Sequence, residues 1–410
     1  MAKLECCSNK TLILLSALCF FMPISISLTE ILYALATIIF TFKAVKRKNA
    51  LFSCFPHKKL LAFYIVFPLF SLIYANNFYK FAIWYKRHLY ILLFPIIIFL
   101  LTEFKEKKEV FLKIFTFSTA ISSVLAILQA FFGANLDKPF NIHTYYVFSK
   151  GFFSHPLTYA ETTSFGIIAG IFLFFSGKNR KWPYFFLTVI NFIGLIFSRE
   201  KMPLFATILL SGLFCFYYSF KISGRKKEVF LFLVFVFLLI LLPNKEKIFW
   251  RLSSNKLKYS VNVRKENWQK SIEYFKKSPV LGIGFGNFKI EVEKWNKKGK
   301  ETLYHAHNNI FEILATTGII GLLAFILFHG AIFYDLIFYL KKNKKDGFIL
   351  TIFFIFLLYH MEGITECTFK DAELNFQLYF LLALFYSAYC PFVKDKNKTG
   401  KEEKPSQLNH

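Results

Sequence analysis

The chain has 410 residues and a formal net charge of +26, and 55% of its residues are hydrophobic. The apolar residues form long blocks, which are typical of bilayer spans and exclude an ordinary soluble domain. The basic residues cluster between these blocks as orientation signals. Since no basic stretch carries the stacking aromatics of a single-strand binder, the charge does not indicate nucleic-acid binding.

The apolar blocks predict transmembrane helices, because roughly 20 apolar residues cross the hydrocarbon layer. In chain order they are 11–28, 30–44, 60–75, 89–102, 109–133, 159–176, 183–198, 202–220, 229–243, 309–340, 347–361 and 374–390. We therefore predict an all-α, polytopic membrane protein with about twelve spans. The first block follows Lys3 and Lys10 without an evident cleavage site, so we interpret it as an uncleaved helix rather than a signal peptide.

The loops alternate in charge along the chain. The basic loops are 43–48, 105–108, 178–181, 225–227 and 341–345, and they share one side with the N-terminus and the lysine-rich tail. By the positive-inside rule this side is cytoplasmic. Segment 78–88 is an exception on the other side, and we interpret it as an interfacial helix anchored by Trp84 and Tyr85.

The predicted organisation has four parts. Residues 1–243 contain spans one to nine, 244–308 form a large outer loop with amphipathic helices, 309–390 contain spans ten to twelve, and 391–410 form a disordered cytoplasmic tail. The seven cysteines show no CxxC spacing and no pair outside the membrane. Neither a zinc site nor a disulfide framework is supported by them.

Arg199 lies on the outer side between two spans, just before Pro203, which suits the first turn of the next helix. Free backbone N–H groups at a helix start and a guanidinium together make a phosphate-binding site. The alternative is an interfacial arginine that reaches to solvent or pairs with Glu200.

Helical spacing places Arg264, Trp268, Ile272 and Phe275 on one stripe of an amphipathic helix, which we expect to lie on the bilayer. An arginine on an apolar stripe indicates a nearby anion such as a lipid diphosphate. The alternative is an arginine whose side chain reaches to solvent.

The turn around Gly284 lacks the GxGxxG spacing of a nucleotide loop. We predict a tight turn that lets the backbone approach a ligand or the membrane surface.

His307 is predicted to lie at the mouth of the tenth span, which an asparagine caps; Asn309 and Glu312 have capping-box spacing. The positive helix end favours a neutral ring that accepts a proton, as a general base must. A merely hydrogen-bonded, structural histidine is the alternative. His305 lies two residues away, but no third ligand has a telling spacing, so we predict no metal.

The sequence shows no comparable cluster of carboxylates and no Asp-x-Asp pair, which disfavours a metal-dependent nucleotide-sugar transferase. Nucleotide sugars are also absent outside the cytoplasm. A lipid-carried donor is therefore expected.

Several motifs between about residues 150 and 330 resemble the O-antigen ligase and polymerase superfamily of bacterial envelope proteins. They are Gly151-Phe152-Phe153-Ser154-His155-Pro156, Ser198-Arg199, Arg264-x-x-x-Trp268, Ser278 to Phe288, His307-Asn308 and Gly318-x-x-Gly321. The resemblance implies that Arg199 and Arg264 bind the diphosphate of the donor and that His307 activates the acceptor hydroxyl. Contacts with substrate are further expected from Asn308, Trp268, Gly284 and His305.

Among the members of the superfamily, the chain looks most like a ligase. A ligase moves polysaccharide from undecaprenyl diphosphate to lipid A-core oligosaccharide at the periplasmic face of the inner membrane, and the resemblance implies neither metal nor cofactor. A polymerase that joins lipid-linked repeats and a protein O-oligosaccharyltransferase are alternatives. A transporter is less favoured, because we see no charged residues or broken helices at mid-membrane and no repeated halves, and Glu161 lies near the outer end of its predicted span.

Overall fold

A computed structural model describes residues 2–46, 55–74, 77–132, 148–177, 181–223, 255–295 and 305–390, and every regular element in these ranges is helical. The α-helices are α1 (Ala2–Phe21), α2 (Ile26–Lys46), α3 (Lys58–Phe70), α4 (Phe78–His88), α5 (Leu93–Leu101), α6 (Lys108–Phe132), α7 (Pro156–Ser176), α8 (Trp182–Ser198), α9 (Lys201–Tyr218), α10 (Asn255–Lys277), α11 (Phe288–Trp295), α12 (Asn309–Lys342), α13 (Gly347–Glu362) and α14 (Ala372–Tyr389). Short 3₁₀ turns occupy Ser71–Tyr74, Leu89–Leu92, Thr102–Lys107 and Thr368–Lys370, and a π-helical turn follows α9 at Ser219–Ser223.

The described ranges contain 5 helical stretches long and apolar enough to cross a membrane. They are Ile26–Val45, Phe78–Phe132, Pro156–Ser176, Lys201–Ile222 and Asn309–Lys342, and shorter apolar helices cover Asn9–Phe21, Trp182–Ser198 and Gly347–Glu362. The prediction of a helical membrane protein is confirmed. The count of twelve spans stays a prediction, and the proposed span 229–243 and tail 391–410 lie outside the described residues.

The first predicted span, 11–28, is wrong in its limits. α1 ends at Phe21, and a turn at residues 22–25 separates it from α2. Pro23 lies in this turn and has no N–H to donate to a continuing helix, so the apolar run is divided between two helices.

α14 lies at the centre of the bundle, with almost every residue from Leu374 to Ser387 buried. Two of its polar side chains donate hydrogen bonds to neighbouring helices: Gln377 donates to the Thr162 hydroxyl over 2.9 Å, and Tyr386 donates to the Asp335 carboxylate over 2.8 Å. Pairing of this kind is what an apolar interior demands of polar groups.

The two ends of the bundle differ in chemistry. α7 and α12 begin at one end, and their last residues, Ser176 and Lys342, meet at the other around the lysine-rich turn before α13. At that lysine-rich end Lys108 lies 3.9 Å from Asp346. The candidate site described below lies at the opposite end.

α12 is broken at Gly318, whose φ of 63° and ψ of −158° belong to a region open only to glycine. The chain before α11 runs beside this break. Ile283 N donates to the Ala315 carbonyl and Ile319 N donates to the Pro279 carbonyl, each over 2.9 Å. The loop thus satisfies backbone groups that an unbroken helix would pair internally, which membrane-embedded backbone requires.

Close packing explains the glycine-rich turn that precedes α11. A Cβ on Gly282 would lie 2.3 Å from the backbone nitrogen of Thr317, so only glycine fits against the broken helix. The predicted tight turn is therefore present. The backbone of Gly282 approaches α12 rather than a ligand or the membrane surface.

The amphipathic helix predicted around Arg264 exists as α10, but its buried face differs from the predicted stripe. The buried residues are Asn267, Ser271 and Tyr274, whereas Ile272 is 42% exposed. The reason is that α10 packs on another helix of the same chain, α12, with the Trp268 ring stacked on Phe311.

Candidate functional site

The segment from His305 to Asn308 leads into α12 and carries the predicted base. Asn308 is the N-cap, and its side chain accepts a hydrogen bond from Phe311 N over 3.0 Å. An asparagine cap is therefore present, but the capping box predicted from Asn309 and Glu312 is wrong, because Asn309 already lies inside the helix. Glu312 instead reaches back to Ala306 N, over 2.7 Å.

Arg199 and His307 share a rare backbone conformation. Within the described ranges they are the non-glycine residues with positive φ, at 60° and 51°. This conformation costs about 1–3 kcal/mol for a side-chain-bearing residue, so the surrounding structure must hold it in place. Strain of this kind concentrates at functional sites, and both residues were singled out from the sequence.

His307, Glu366 and Arg264 form a connected group. The Nδ1 atom of His307 lies 2.9 Å from Oε2 of Glu366, and Arg264 Nη2 donates to the other carboxylate oxygen over 3.2 Å. The carboxylate thus joins α10, the start of α12 and the loop after α13. A neutral His307 that donates its Nδ1 hydrogen to Glu366 keeps a lone pair on Nε2, as a general base needs.

Glu366 is 9% exposed but remains charged. Burial disfavours its charged form, but the hydrogen bond from His307 and the positive charge of Arg264 outweigh burial and lower the pKa of Glu366. The neighbouring ring behaves differently. Burial, followed by the charge of His307, lowers the pKa of His305 to about 4 and leaves that ring neutral at neutral pH.

Several contacts hold the His305–His307 segment in position. Asn267 on α10 donates to the His305 carbonyl over 3.2 Å. Glu312, which accepts from Ala306, is in turn paired with Lys370 through a short contact. The segment is therefore clamped to α10 on one side and to the turn before α14 on the other.

A cavity of about 630 Å³ opens beside this segment. Its acidic, basic and histidine lining residues are Glu30, Lys86, Arg87, His155, Glu161, Glu200, His305, His307, Glu366, Lys370, Asp371 and Glu373. The carboxylates that the sequence left scattered therefore converge here. Hydrogen bonds reach two further carboxylates besides Glu366, since Tyr90 donates to Glu30 over 2.6 Å and Thr158 donates to Asp371 over 2.6 Å.

The basic side of the cavity comes from α4 and the turn before α14. The ring of Trp84 lies 5.0 Å from the Arg87 guanidinium carbon and 4.8 Å from Lys370 Nζ, so one aromatic ring holds two cations close together. Lys86 lines the cavity beside them. The helix predicted at 78–88 is thus present, and its basic residues contribute to the site.

The structure brings two of the three principal residues into direct connection. Arg264 and His307 meet through Glu366. Arg199 lies at the end of α8, half-buried, and the residue after it, Glu200, lines the cavity. The three expected groups therefore lie at one end of the bundle.

The remaining predicted contacts have identifiable structural partners. Asn308 caps α12 and also donates to the Ile364 carbonyl over 2.8 Å, which fixes the loop that carries Glu366. Gly284 lies against the Tyr74 carbonyl in the glycine-rich turn. Contact of these residues with substrate, like that of Trp268, stays a prediction.

Glu366 also supplies what the sequence lacked for a metal site. His305, His307 and Glu366 each offer a ligand atom, and these atoms lie within 4.8 Å of one another. The sequence showed no third ligand near His305 and His307 because the third ligand, Glu366, comes from a separate loop. The reason given above for predicting no metal therefore does not hold.

Residues 152–326 match the family described as O-antigen ligase. This segment belongs to the O-antigen ligase family. The predicted superfamily is confirmed, and no curated protein matches the chain. The O-antigen ligase family is glycosyltransferase-like, which is consistent with an enzyme in a membrane that uses a lipid-linked glycan.

The O-antigen ligase segment carries Arg199, Arg264 and His307 but ends before Glu366 and Lys370. Neither residue was predicted from the sequence. The only signal for them was that they are two of five charged residues between the last two predicted spans. Arg87 had a clearer signal, because segment 78–88 interrupts the alternation of loop charge.

Proposed function

We propose that this chain is an O-antigen ligase, which transfers polysaccharide from undecaprenyl diphosphate to a hydroxyl of lipid A-core oligosaccharide. The observation that carries the proposal is the contact of His307 with Glu366 at the edge of a polar cavity, in a chain with the family segment. An imidazole oriented by a carboxylate is the arrangement that activates a hydroxyl without a metal.

In the proposed reaction His307 Nε2 takes the proton of the acceptor hydroxyl while the hydroxyl oxygen attacks the anomeric carbon of the donor. The bond from that carbon to the diphosphate breaks, and its electron pair leaves with undecaprenyl diphosphate. In-line attack inverts the anomeric centre. Glu366 stabilises the positive charge on His307, and proton removal contributes about 10²–10⁴-fold in rate.

The diphosphate gains negative charge as it leaves, so cations must lie near it. We propose Arg199 and Arg264 for this role, as the resemblance implies, and add Arg87 and Lys370. The latter two line the cavity on either side of Trp84. Arg264 also keeps Glu366 in position through its ion pair.

An apolar groove beside the cavity supports a lipid-linked donor. The groove has a volume of about 780 Å³, is lined mainly by apolar residues of α2, α4 and α5, and shares Glu30, Lys86 and Tyr90 with the polar cavity. A molecule with a charged diphosphate and a long hydrocarbon tail fits this pair of spaces. We propose that the tail occupies the groove.

The proposed location is the bacterial inner membrane, with the cavity facing the periplasm and both termini in the cytoplasm. The lysine-rich end of the bundle, opposite the cavity, supports this orientation by the positive-inside rule. Impermeant thiol reagents applied to spheroplasts should label Ser154→Cys and leave Lys344→Cys unlabelled. The reverse pattern would contradict the orientation.

Transfer assayed with purified donor and acceptor in the presence of EDTA tests the reaction. The wild-type protein should be active, and His307→Ala should lose at least about 10²-fold. Activity retained by His307→Ala would remove the proposed base, and a strict metal requirement would remove the mechanism.

The acceptor is tested separately by the lipopolysaccharide profile of a deletion strain. Loss of a ligase should leave bare lipid A-core while lipid-linked polymer persists. Core capped with a single repeat would identify a polymerase instead.

A further inference from the structure

His305, His307 and Glu366 form a compact set of ligand atoms. The two histidines are separated by one residue, and their ring centroids lie 4.1 Å apart. The candidate ligand atoms of all three residues lie within 4.8 Å of one another. Ligands at about 2.0–2.2 Å around one tetrahedral ion lie somewhat closer than this, so small side-chain rotations complete the site.

The backbone around these ligands is already fixed. Asn267 holds the His305 carbonyl over 3.2 Å, and Asn308 holds the Ile364 carbonyl of the Glu366 loop over 2.8 Å. Both ligand-bearing segments are therefore tied to helices, and binding requires no backbone rearrangement.

The pKa shifts of two of these ligands agree with the geometry. Burial, followed by the charge of His307, lowers the pKa of His305 to about 4, so its ring is neutral. The groups around Glu366 outweigh burial and lower the pKa of this carboxyl. A metal ion requires neutral imidazoles and an ionised carboxylate, and these pKa shifts favour those forms at His305 and Glu366.

We propose that His305, His307 and Glu366 bind one Zn²⁺ ion and that this ion inhibits the transfer reaction. Two imidazoles and a carboxylate are a donor set that suits Zn²⁺, with a fourth position for water. Glu366 retains an oxygen for Arg264, whose ion pair then orients the ligand as outer partners of metal sites do.

The inhibition follows from the tautomer of His307 and rests on the proposed function. Zn²⁺ on Nδ1 takes the position of the hydrogen between His307 and Glu366. The ring hydrogen then lies on Nε2, which is the atom that must accept the proton of the acceptor hydroxyl. A zinc-loaded site is therefore unable to act as the base.

Metal binding is tested on the full-length protein in detergent after removal of metals with EDTA. Co²⁺ replaces Zn²⁺ as a visible probe and should give the absorption of a tetrahedral site with no sulfur-to-metal band. Zn²⁺ should compete for the same site and raise the thermal midpoint of unfolding. His305→Gln should weaken Co²⁺ binding about 10–100-fold, and a matched variant elsewhere, His57→Gln, should leave it unchanged.

Equal Co²⁺ binding by the wild type and His305→Gln would overturn the site, as would a sulfur-to-metal band, which would assign the ion to cysteine. Should His305→Gln fold poorly, Glu366→Gln provides the same comparison. Added Zn²⁺ should abolish transfer and EDTA should restore it; transfer that Zn²⁺ leaves unchanged would overturn the inhibition. A protein that binds Co²⁺ at this site but never transfers glycan would contradict the proposed function and leave the metal site standing.

Discussion

Glu366 is the residue on which the candidate site depends, because it contacts both His307 and Arg264 from a buried position. A buried carboxylate is stable only when its charge is compensated. Here the same contacts that compensate it also fix the ring of His307. Removal of the charge should therefore disturb the base without removing it.

Glu366→Gln should lower kcat about 10²–10⁴-fold with a smaller change in KM, because an amide neither fixes the productive tautomer of His307 nor stabilises the imidazolium. Steady-state transfer kinetics with purified protein measure this. Glu273→Gln is the control, since the Glu273 side chain on α10 is 50% exposed and pairs with nearby Lys270. An unchanged kcat for Glu366→Gln would show that His307 needs no carboxylate partner.

Arg264→Gln should shift the pH dependence of transfer. The pKa of Glu366 is lowered by its neighbours, so the carboxylate form persists above that pKa and is lost as pH falls through it. Without the Arg264 charge, burial is less well opposed, the pKa rises, and the acidic limb of kcat/KM should move to higher pH. An acidic limb that does not move would indicate that a different group controls it.

At the scale of secondary structure, α12 follows the proposed base directly and is broken at Gly318. Its first turn positions His307, and the break at Gly318 receives the loop that leads from α10 to α11. The loop and the helix share hydrogen bonds, so the relative position of Arg264 on α10 and His307 before α12 depends on this break.

Two alanine substitutions in α12, Gly318→Ala and Gly330→Ala, test whether the fold depends on the break. Gly318 has a positive φ, and an added Cβ would lie 2.4 Å from the Val280 carbonyl oxygen, so the alanine variant should lose at least about 1–3 kcal/mol of stability. Gly330 has open space around it, and alanine there should be neutral or stabilising by about 0.5–1 kcal/mol. Thermal unfolding in detergent compares the two. Equal stability of both variants would contradict the role of the break.

The sequence predicted those parts of the site that depend on local pattern. Apolar periodicity located most of the helices, and the interruption of loop charge located α4. His307 was recognisable at the start of an apolar block. Its partner was not, because Glu366 lies 59 residues away and no periodic pattern connects the loop after α13 to the start of α12.

A second limit concerned which face of a helix is buried. The stripe through Arg264 predicted a bilayer contact, since the sequence contained no sign of the partner helix. α12 supplies that partner, so Tyr274 is buried and Ile272 is exposed. The break at Gly318 was equally invisible, because a glycine inside an apolar helix is usually tolerated without one.

At the scale of the whole molecule, a polar cavity and an apolar groove meet at one end of the bundle. They share Glu30, Lys86 and Tyr90, so a ligand that fills both must change from charged to apolar at these residues. This is the expected boundary between the diphosphate and the hydrocarbon tail of a lipid-linked glycan. The length of the hydrocarbon tail should therefore affect donor binding only through the contacts that the tail makes in the groove.

Ala82→Trp places a large ring in the groove, which Ala82 lines on α4. The variant should raise KM about tenfold or more for a donor with a full-length polyprenyl tail, because the ring displaces part of the tail from the groove. A tenfold weaker binding corresponds to a loss of about 1.4 kcal/mol of binding free energy. A donor with a tail of two isoprene units should be impaired much less, since its tail occupies only the part of the groove next to the cavity. Leu327→Trp is the matched control on α12, where the side chain is already 46% exposed on another surface. If Ala82→Trp impairs both donors equally, the groove does not hold the tail, and the hydrocarbon must leave the cavity by another route.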